Sequence, residues 1–109
     1  VLDPLFHQPA RTRIAAFLAA RERASFSELK RSTGLTDGNL DAHLKKLVEA
    51  GYVGASEIPG EGRPQTAFAL TGVGRRVFVE YVESLRSLLG FGPEPVPVAA
   101  QGSRGRKRR

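Results

Sequence analysis

Between Thr36 and Lys46 the chain reads TDGNLDAHLKK, and its side chains outside the leucines are small, amide-bearing or charged. Wound at about 100° per residue, Leu40, Leu44, Leu47 and Val48 fall on one side as the expected core stripe. Gly38, Asn39, Ala42, Lys45 and Lys46 fall opposite, with His43 on one flank and Asp41 on the other. That outward face suits contact with a nucleic-acid duplex. Gly38 and Ala42 add almost no bulk, so the backbone can come close to base edges. Asn39 can form a bidentate pair with adenine, and Ala42 can meet a thymine methyl. Lys45 and Lys46 suit phosphates, where they add affinity without reading sequence. His43 is placed as a phosphate donor, because no second ligand stands three or four positions away to make a metal site. Asp37 is expected near the core side as a helix cap. Asp41 either accepts from a cytosine amino group or restrains Lys45 as an i,i+4 pair. An ordinary solvated helix presents the same face, so this segment alone leaves both readings open.

The surrounding elements must position that face. Pro9 suits the first turn of a helix running to about Arg21, with Ile14, Phe17 and Leu18 at helical spacing. Ala24 to Phe26 is long enough only for an edge strand. Ser27 is the expected N-cap of a second helix over Glu28 to Thr33, ended by Gly34. Thr36 is the expected cap of the third helix, Asp37 suits its positive N-terminus, and Gly51 closes it. Tyr52 to Ile58 and Gln65 to Leu70 read as strands around the turn Pro59 to Pro64. Thr71 caps a last helix over Gly72 to Leu89.

Composition limits the chemistry available. The 109 residues contain no cysteine and carry a net charge of +6. Disulfides, thiolate metal sites and thiol nucleophiles are therefore excluded. Residues 1–89 hold 12 basic and 10 acidic side chains, whereas residues 90–109 hold 5 and 1, so most of the excess lies at the end. The expectation is one domain over residues 1–89 and a disordered basic tail over 90–109. No apolar run approaches the roughly 18 residues of a membrane span, and nothing at the start resembles a signal peptide. The only histidines are His7 and His43, and no phosphate loop, metal cluster or nucleophile–base set stands out. These observations speak against an enzyme and imply no cofactor or metal.

Arg63 stands in PGEGRP, at the tip of a short hairpin. There an arginine can lie along or in a minor groove, although Glu57 and Glu61 weaken the local field. The run LKRSTGLTDGNLDAHLKKLVEAGYV followed by GRPQTAFALTGVGRRV resembles the winged helix-turn-helix transcriptional regulators of the MarR/ArsR-like superfamily. It is most similar to small stand-alone winged-helix DNA-binding regulators, over about residues 2–89. The marks are Gly34-Leu35-Thr36, His43-Leu44 within the leucine pattern, Glu49-Ala50-Gly51-Tyr52, and Leu70-Thr71 before the last helix. The resemblance implies a mainly α fold with a small β-hairpin wing and a C-terminal dimerisation helix. It also implies a cytoplasmic, bacterial-type homodimer on double-stranded DNA, with residues 36–50 in the major groove and the wing, residues 58–65, on the minor groove or backbone. On that pattern Thr36, Gly38, Asn39, Asp41, Ala42, His43 and Lys46 fall on the DNA-facing segment and Arg63 on the wing. Many relatives carry a basic residue where this chain has Ala42, so the grip of the helix is expected to be modest.

The last helix is apolar over a broad arc, with Val73, Val77, Phe78, Tyr81, Val82, Leu85, Leu88 and Leu89. Such breadth calls for neighbours on two sides. A dimer contact through Leu5, Phe6, Val77, Tyr81, Leu85 and Leu88 is the corresponding expectation. The end of the chain, GSRGRKRR, offers Arg104, Arg106, Lys107, Arg108 and Arg109 as phosphate contacts, and Arg104-Gly105-Arg106 resembles the core of an AT-hook. A sequence-specific regulator, acting as a repressor because nothing beyond the DNA-binding unit is on hand to recruit polymerase, is the expected function. The alternative is a winged-helix protein–protein interaction module in a larger complex, and an RNA-binding winged helix stands third.

Overall fold

The computed structural model describes residues 2–60 and 62–91. Its elements run α1 (Pro9–Ala19), β1 (Ala24–Ser25), α2 (Phe26–Thr33), α3 (Asp37–Glu49), β2 (Val53–Ile58), β3 (Gln65–Leu70) and α4 (Gly72–Leu88). The three strands form one antiparallel sheet in the order β1-β3-β2. Three helices, a small sheet and a closing helix thus make a winged helix, mainly α with a hairpin wing.

Each helix starts where a side chain can satisfy its free amides. Gln8 accepts from the Arg11 amide at 2.9 Å, and Pro9 opens α1 without needing an N–H. The helix ends at Ala19, two residues before the expected Arg21, where the Arg21 amide turns back to the Leu18 carbonyl. The second helix begins earlier than expected. Ser25, not Ser27, is its cap: the Ser25 hydroxyl accepts from the Glu28 amide at 3.1 Å, and Glu28 accepts from the Ser25 amide at 2.9 Å. This reciprocal capping box satisfies two amides at once, which Ser27 has no partner to do. Thr36 caps α3 and Thr71 caps α4 through the Asn39 and Gly74 amides. Gly34 stands at φ 73° after α2 and Gly51 at φ 80° after α3, where a Cβ would be strained.

The core is a single cluster that includes Ile14, Leu18, Leu29, Leu40, Leu44, Leu47, Val53, Leu70 and Phe78. Only the three leucines of α3 belong to it. Val48, expected beside them, is 38% exposed because it lies one residue, and so about 100°, beyond Leu47. Phe6 and Tyr81 also depart from expectation. Phe6 is fully buried, stacked on Tyr52 at 4.9 Å between ring centroids and edge-on to Phe78 at 5.1 Å. Tyr81 is buried against the same cluster. Both side chains are enclosed within one subunit and leave almost no surface for the expected partner contact.

The lead before α1 is therefore part of the fold. Asp3 accepts from the Leu5 and Phe6 amides through one oxygen and from the Tyr52 hydroxyl through the other, at 2.7 Å. The last helix is drawn onto the start of β2 by Thr71, whose amide bonds the Tyr52 carbonyl and whose hydroxyl bonds the Gly51 carbonyl. Gly74 then passes so close that a Cβ there would lie 2.0 Å from the Tyr52 carbonyl oxygen. Arg75 donates to the Ala19 carbonyl at 3.0 Å and ties the same helix to the end of α1.

Candidate nucleic-acid interface

The outward face of α3 is set by what holds its inner face. Leu40, Leu44 and Leu47 are buried against α1 and β2, so the residues between them are forced outward. Thr36, Gly38, Asn39, Asp41, Ala42, Lys45 and Lys46 are all exposed. In the turn from α2 into α3, Gly34 takes the left-handed position, and the buried Thr33 hydroxyl donates to the Leu29 carbonyl at 2.7 Å while accepting from the Leu35 amide at 3.4 Å. The expectation for Asp37 is corrected. It does not lean toward the core but lies exposed, in an ion pair with Lys30 of α2 at 2.8 Å. The negative charge at the helix N-terminus remains favourable, yet its proximity to the phosphate path is offset by that lysine.

Charge on this face is more selective than its composition suggests. Lys45 is paired with Asp41 at 3.1 Å, one helical turn away. Exposed pairs of this kind contribute about 0.5 kcal/mol or less, so either lysine can leave its carboxylate for a phosphate at small cost. Lys46 has no ion pair among the described residues. His43 is half-buried on the flank, where its Nδ1 meets the Arg11 guanidinium at 3.1 Å. Burial first, then the charges of Arg11 and Lys46, hold the His43 imidazole below its ordinary value of 6.5. Arg11 in turn donates from Nε to the Leu5 carbonyl at 2.6 Å.

The wing stands on the same side. Arg63 is exposed at the tip, between β2 and β3, and shares one cleft with Asp41 of α3. Ser25, Phe26, Ser27, Gln65, Thr66 and Phe68 complete the lining. The structure therefore brings the wing arginine to the same cleft as Asp41, on one flank of the outward face of α3. Two cations that sequence spacing left out also belong to its surroundings. Lys30 and Arg11 reach α3 from other helices, and a contact spanning 32 residues leaves no local periodicity to find.

Of the remaining expected contacts, Leu5, Val77 and Leu85 are half-buried, and Leu88 is 69% exposed. Leu89 and Phe91, beside it in sequence at the C-terminal end of α4, are exposed as well. Arg104, Arg106, Lys107, Arg108 and Arg109 lie outside the described residues. A second crevice, about 440 Å³, lies among His7, Gln8, Pro9, Thr12, Arg13, Ala16 and Tyr81, with His7 Nδ1 3.0 Å from the Tyr81 hydroxyl. Among the described residues no helix is long and apolar enough to cross a membrane, and no three metal-ligating side chains gather.

A helix-turn-helix whose second helix exposes its outward face, flanked by a hairpin bearing an arginine, defines a winged-helix nucleic-acid-binding module. Residues 10–89 match the family model described as winged helix DNA-binding domain, and the chain belongs to that family. The family is one of DNA-binding domains rather than enzymes. An uncharacterized protein of Methanocaldococcus jannaschii is 38% identical over 84 residues, which are 77% of this chain and 91% of the relative. The solved structure of a transcriptional regulator homologue from Pyrococcus horikoshii is 30% identical, with a TM-score of 0.74 over 79% of this chain and 85% of that one. A putative MarR-family transcriptional regulator from Porphyromonas gingivalis shares the fold at 24% identity, with a TM-score of 0.60 over 78% and 82% of the two chains. The fold is thus that of the MarR-type winged helix-turn-helix regulators.

Proposed function

We propose that this protein is a sequence-specific, homodimeric transcriptional regulator that binds double-stranded DNA and acts as a repressor in the cytoplasm. The observation that carries the reading is the exposed strip formed by α3 and the wing, in which Asn39, Ala42 and Lys46 face outward while Arg63 shares a cleft with Asp41. In this reading α3 enters a major groove, Asn39 and Ala42 touch base edges, and Lys45 and Lys46 hold phosphates. Arg63 reaches the flanking minor groove or backbone. In this reading repression comes from occlusion of a promoter by the bound winged helix.

Dimerisation is supported by the exposure of Leu88, Leu89 and Phe91 near the end of α4. The contact then lies at the end of α4, with Leu85 one turn back at its margin, rather than through Phe6 or Tyr81. Two-fold pairing would set two half-sites about one DNA turn, roughly 10 base pairs, apart. The test is duplex binding by the Asn39→Ala and Lys46→Ala variants at several salt concentrations. Asn39→Ala is expected to lower discrimination between duplexes. Lys46→Ala is expected to weaken all duplexes alike and reduce the salt slope by about one unit. If neither change alters binding at low salt, the protein-interaction reading replaces this one.

A further inference from the structure

We propose that Arg11 is a positioning residue that fixes His43 as a neutral hydrogen-bond donor, leaving its Nε2–H for an acceptor on DNA. The inference rests on the DNA-binding reading for its ligand, but the arrangement of the ring stands on geometry alone. A guanidinium has donors only and stays charged, so the 3.1 Å contact between Arg11 Nη1 and His43 Nδ1 requires a lone pair on Nδ1. The ring is therefore neutral, and its proton is on Nε2. Arg11 cannot swing away freely. Its Nε donates to the Leu5 carbonyl at 2.6 Å.

The surroundings oppose the imidazolium form. The charges acting on the ring are both positive, Arg11 from α1 and Lys46 from α3 itself. The carboxylate of the lead, Asp3, is committed to the Tyr52 hydroxyl and to the amides of Leu5 and Phe6. The face consequently carries two kinds of donor. Lys45 and Lys46 are flexible point charges that any phosphate satisfies. His43 is a single donor of fixed tautomer, which accepts only a hydrogen-bond acceptor: a phosphate oxygen, or a purine N7, guanine O6 or thymine O4 at a base edge. Adenine and cytosine amino groups are rejected at that position, because donor would meet donor.

Nitrogen-edited NMR of the imidazoles in the full chain, free of DNA, tests the first half. The expected result is the Nε2–H tautomer for His43, titrating below 6.5, with Arg11→Gln moving the titration up and mixing the tautomers. Arg11→Lys provides a second variant should the first fold poorly. A wild-type His43 that titrates at its ordinary value, or is indifferent to Arg11, overturns the proposal.

Binding to a random-sequence duplex and to a duplex selected by the protein tests the second half. His43→Ala is expected to weaken binding about two- to tenfold, the effect of one neutral hydrogen bond. Equal loss on both duplexes assigns the acceptor to a phosphate, and loss confined to the selected duplex assigns it to a base edge. No loss on either overturns the DNA contact. Between about pH 8 and pH 6 the Arg11→Gln variant should gain affinity relative to wild type, because its freed imidazole can charge against a phosphate. Parallel pH profiles also count against the proposal. Failure of the wild-type chain to bind any duplex would instead refute the proposed function, leaving the NMR result to stand or fall by itself.

Discussion

Among the described glycines Gly74 has the least room for a Cβ, and Gly74→Ala is the sharpest test of how α4 is seated. A Cβ at residue 74 would lie 2.0 Å from the Tyr52 carbonyl oxygen and 2.7 Å from its carbonyl carbon. A close carbon–oxygen contact is about 3.3 Å, so roughly 1.3 Å of overlap has to be removed. The obstacle is backbone, and that carbonyl already accepts from the Thr71 amide at 3.0 Å, so no side chain can swing aside. Relief requires α4 to shift away from β2, which also disturbs Phe78 and Tyr81. Overpacking of this kind costs about 1–3 kcal/mol, or more where backbone must move. The helix-propensity gain of alanine over glycine offsets about 1 kcal/mol at most.

A net loss of about 2 kcal/mol is therefore expected, equivalent to a Tm lower by roughly 8–16 °C for a domain of this size. Gly72→Ala is the internal control, since nothing lies within 4 Å of a Cβ at residue 72 and its φ is not left-handed. It should leave stability unchanged or slightly raised. Thermal and urea unfolding of the two variants, followed by circular dichroism, measures both effects. A Gly74→Ala protein as stable as wild type would refute the close seating of α4 on Tyr52.

Other consequences are independent of that contact. Phe6→Ala removes the ring at the centre of the aromatic cluster and should cost about 3–5 kcal/mol in unfolding measurements, with no change attributable to subunit association. Ser25→Ala should lose about 1 kcal/mol by breaking the capping box, whereas Ser27→Ala should be close to neutral by the same assay. The lowered pKa of His43 means that the unfolded chain binds a proton more readily than the folded one. Its contribution to stability is complete above pH 6.5 and declines as the pH falls toward the folded value; His43→Gln should remove that part of the acid dependence in urea titrations across the same window. Arg63→Ala should weaken binding to A·T-flanked duplexes more than to G·C-flanked ones in competition assays, since a narrow minor groove concentrates negative potential.

The elements that repeat a short-range pattern were legible in the sequence. Leu40, Leu44 and Leu47 recur at helical spacing, and burial of all three fixed the outward face as expected. The glycine and proline turn between the strands likewise placed Arg63 on the hairpin. What escaped was decided by contacts distant in sequence. Phe6 reads as a loose apolar anchor in a short lead, yet Asp3 folds that lead back so that the ring fills the space between Tyr52 and Phe78. Tyr81 lies on a broad apolar arc, and periodicity cannot say which part of such an arc faces the chain's own core. The cap of α2 is the exception, because the capping-box spacing that favours Ser25 over the expected Ser27 is local, with Glu28 only three residues on. Arg11 sits in an unremarkable alanine-rich helix, and nothing near it announces His43, which packs against it only in the folded chain.

The central claim is that α3 and the wing read double-stranded DNA as a symmetric pair. Selection of bound duplexes from a random pool by the full chain tests it most directly. The expected result is an enriched inverted repeat with half-sites about 10 base pairs centre to centre, lost when Asn39 is replaced by alanine. A pool that shows no enrichment over the input, or a single unpaired half-site, would contradict the account.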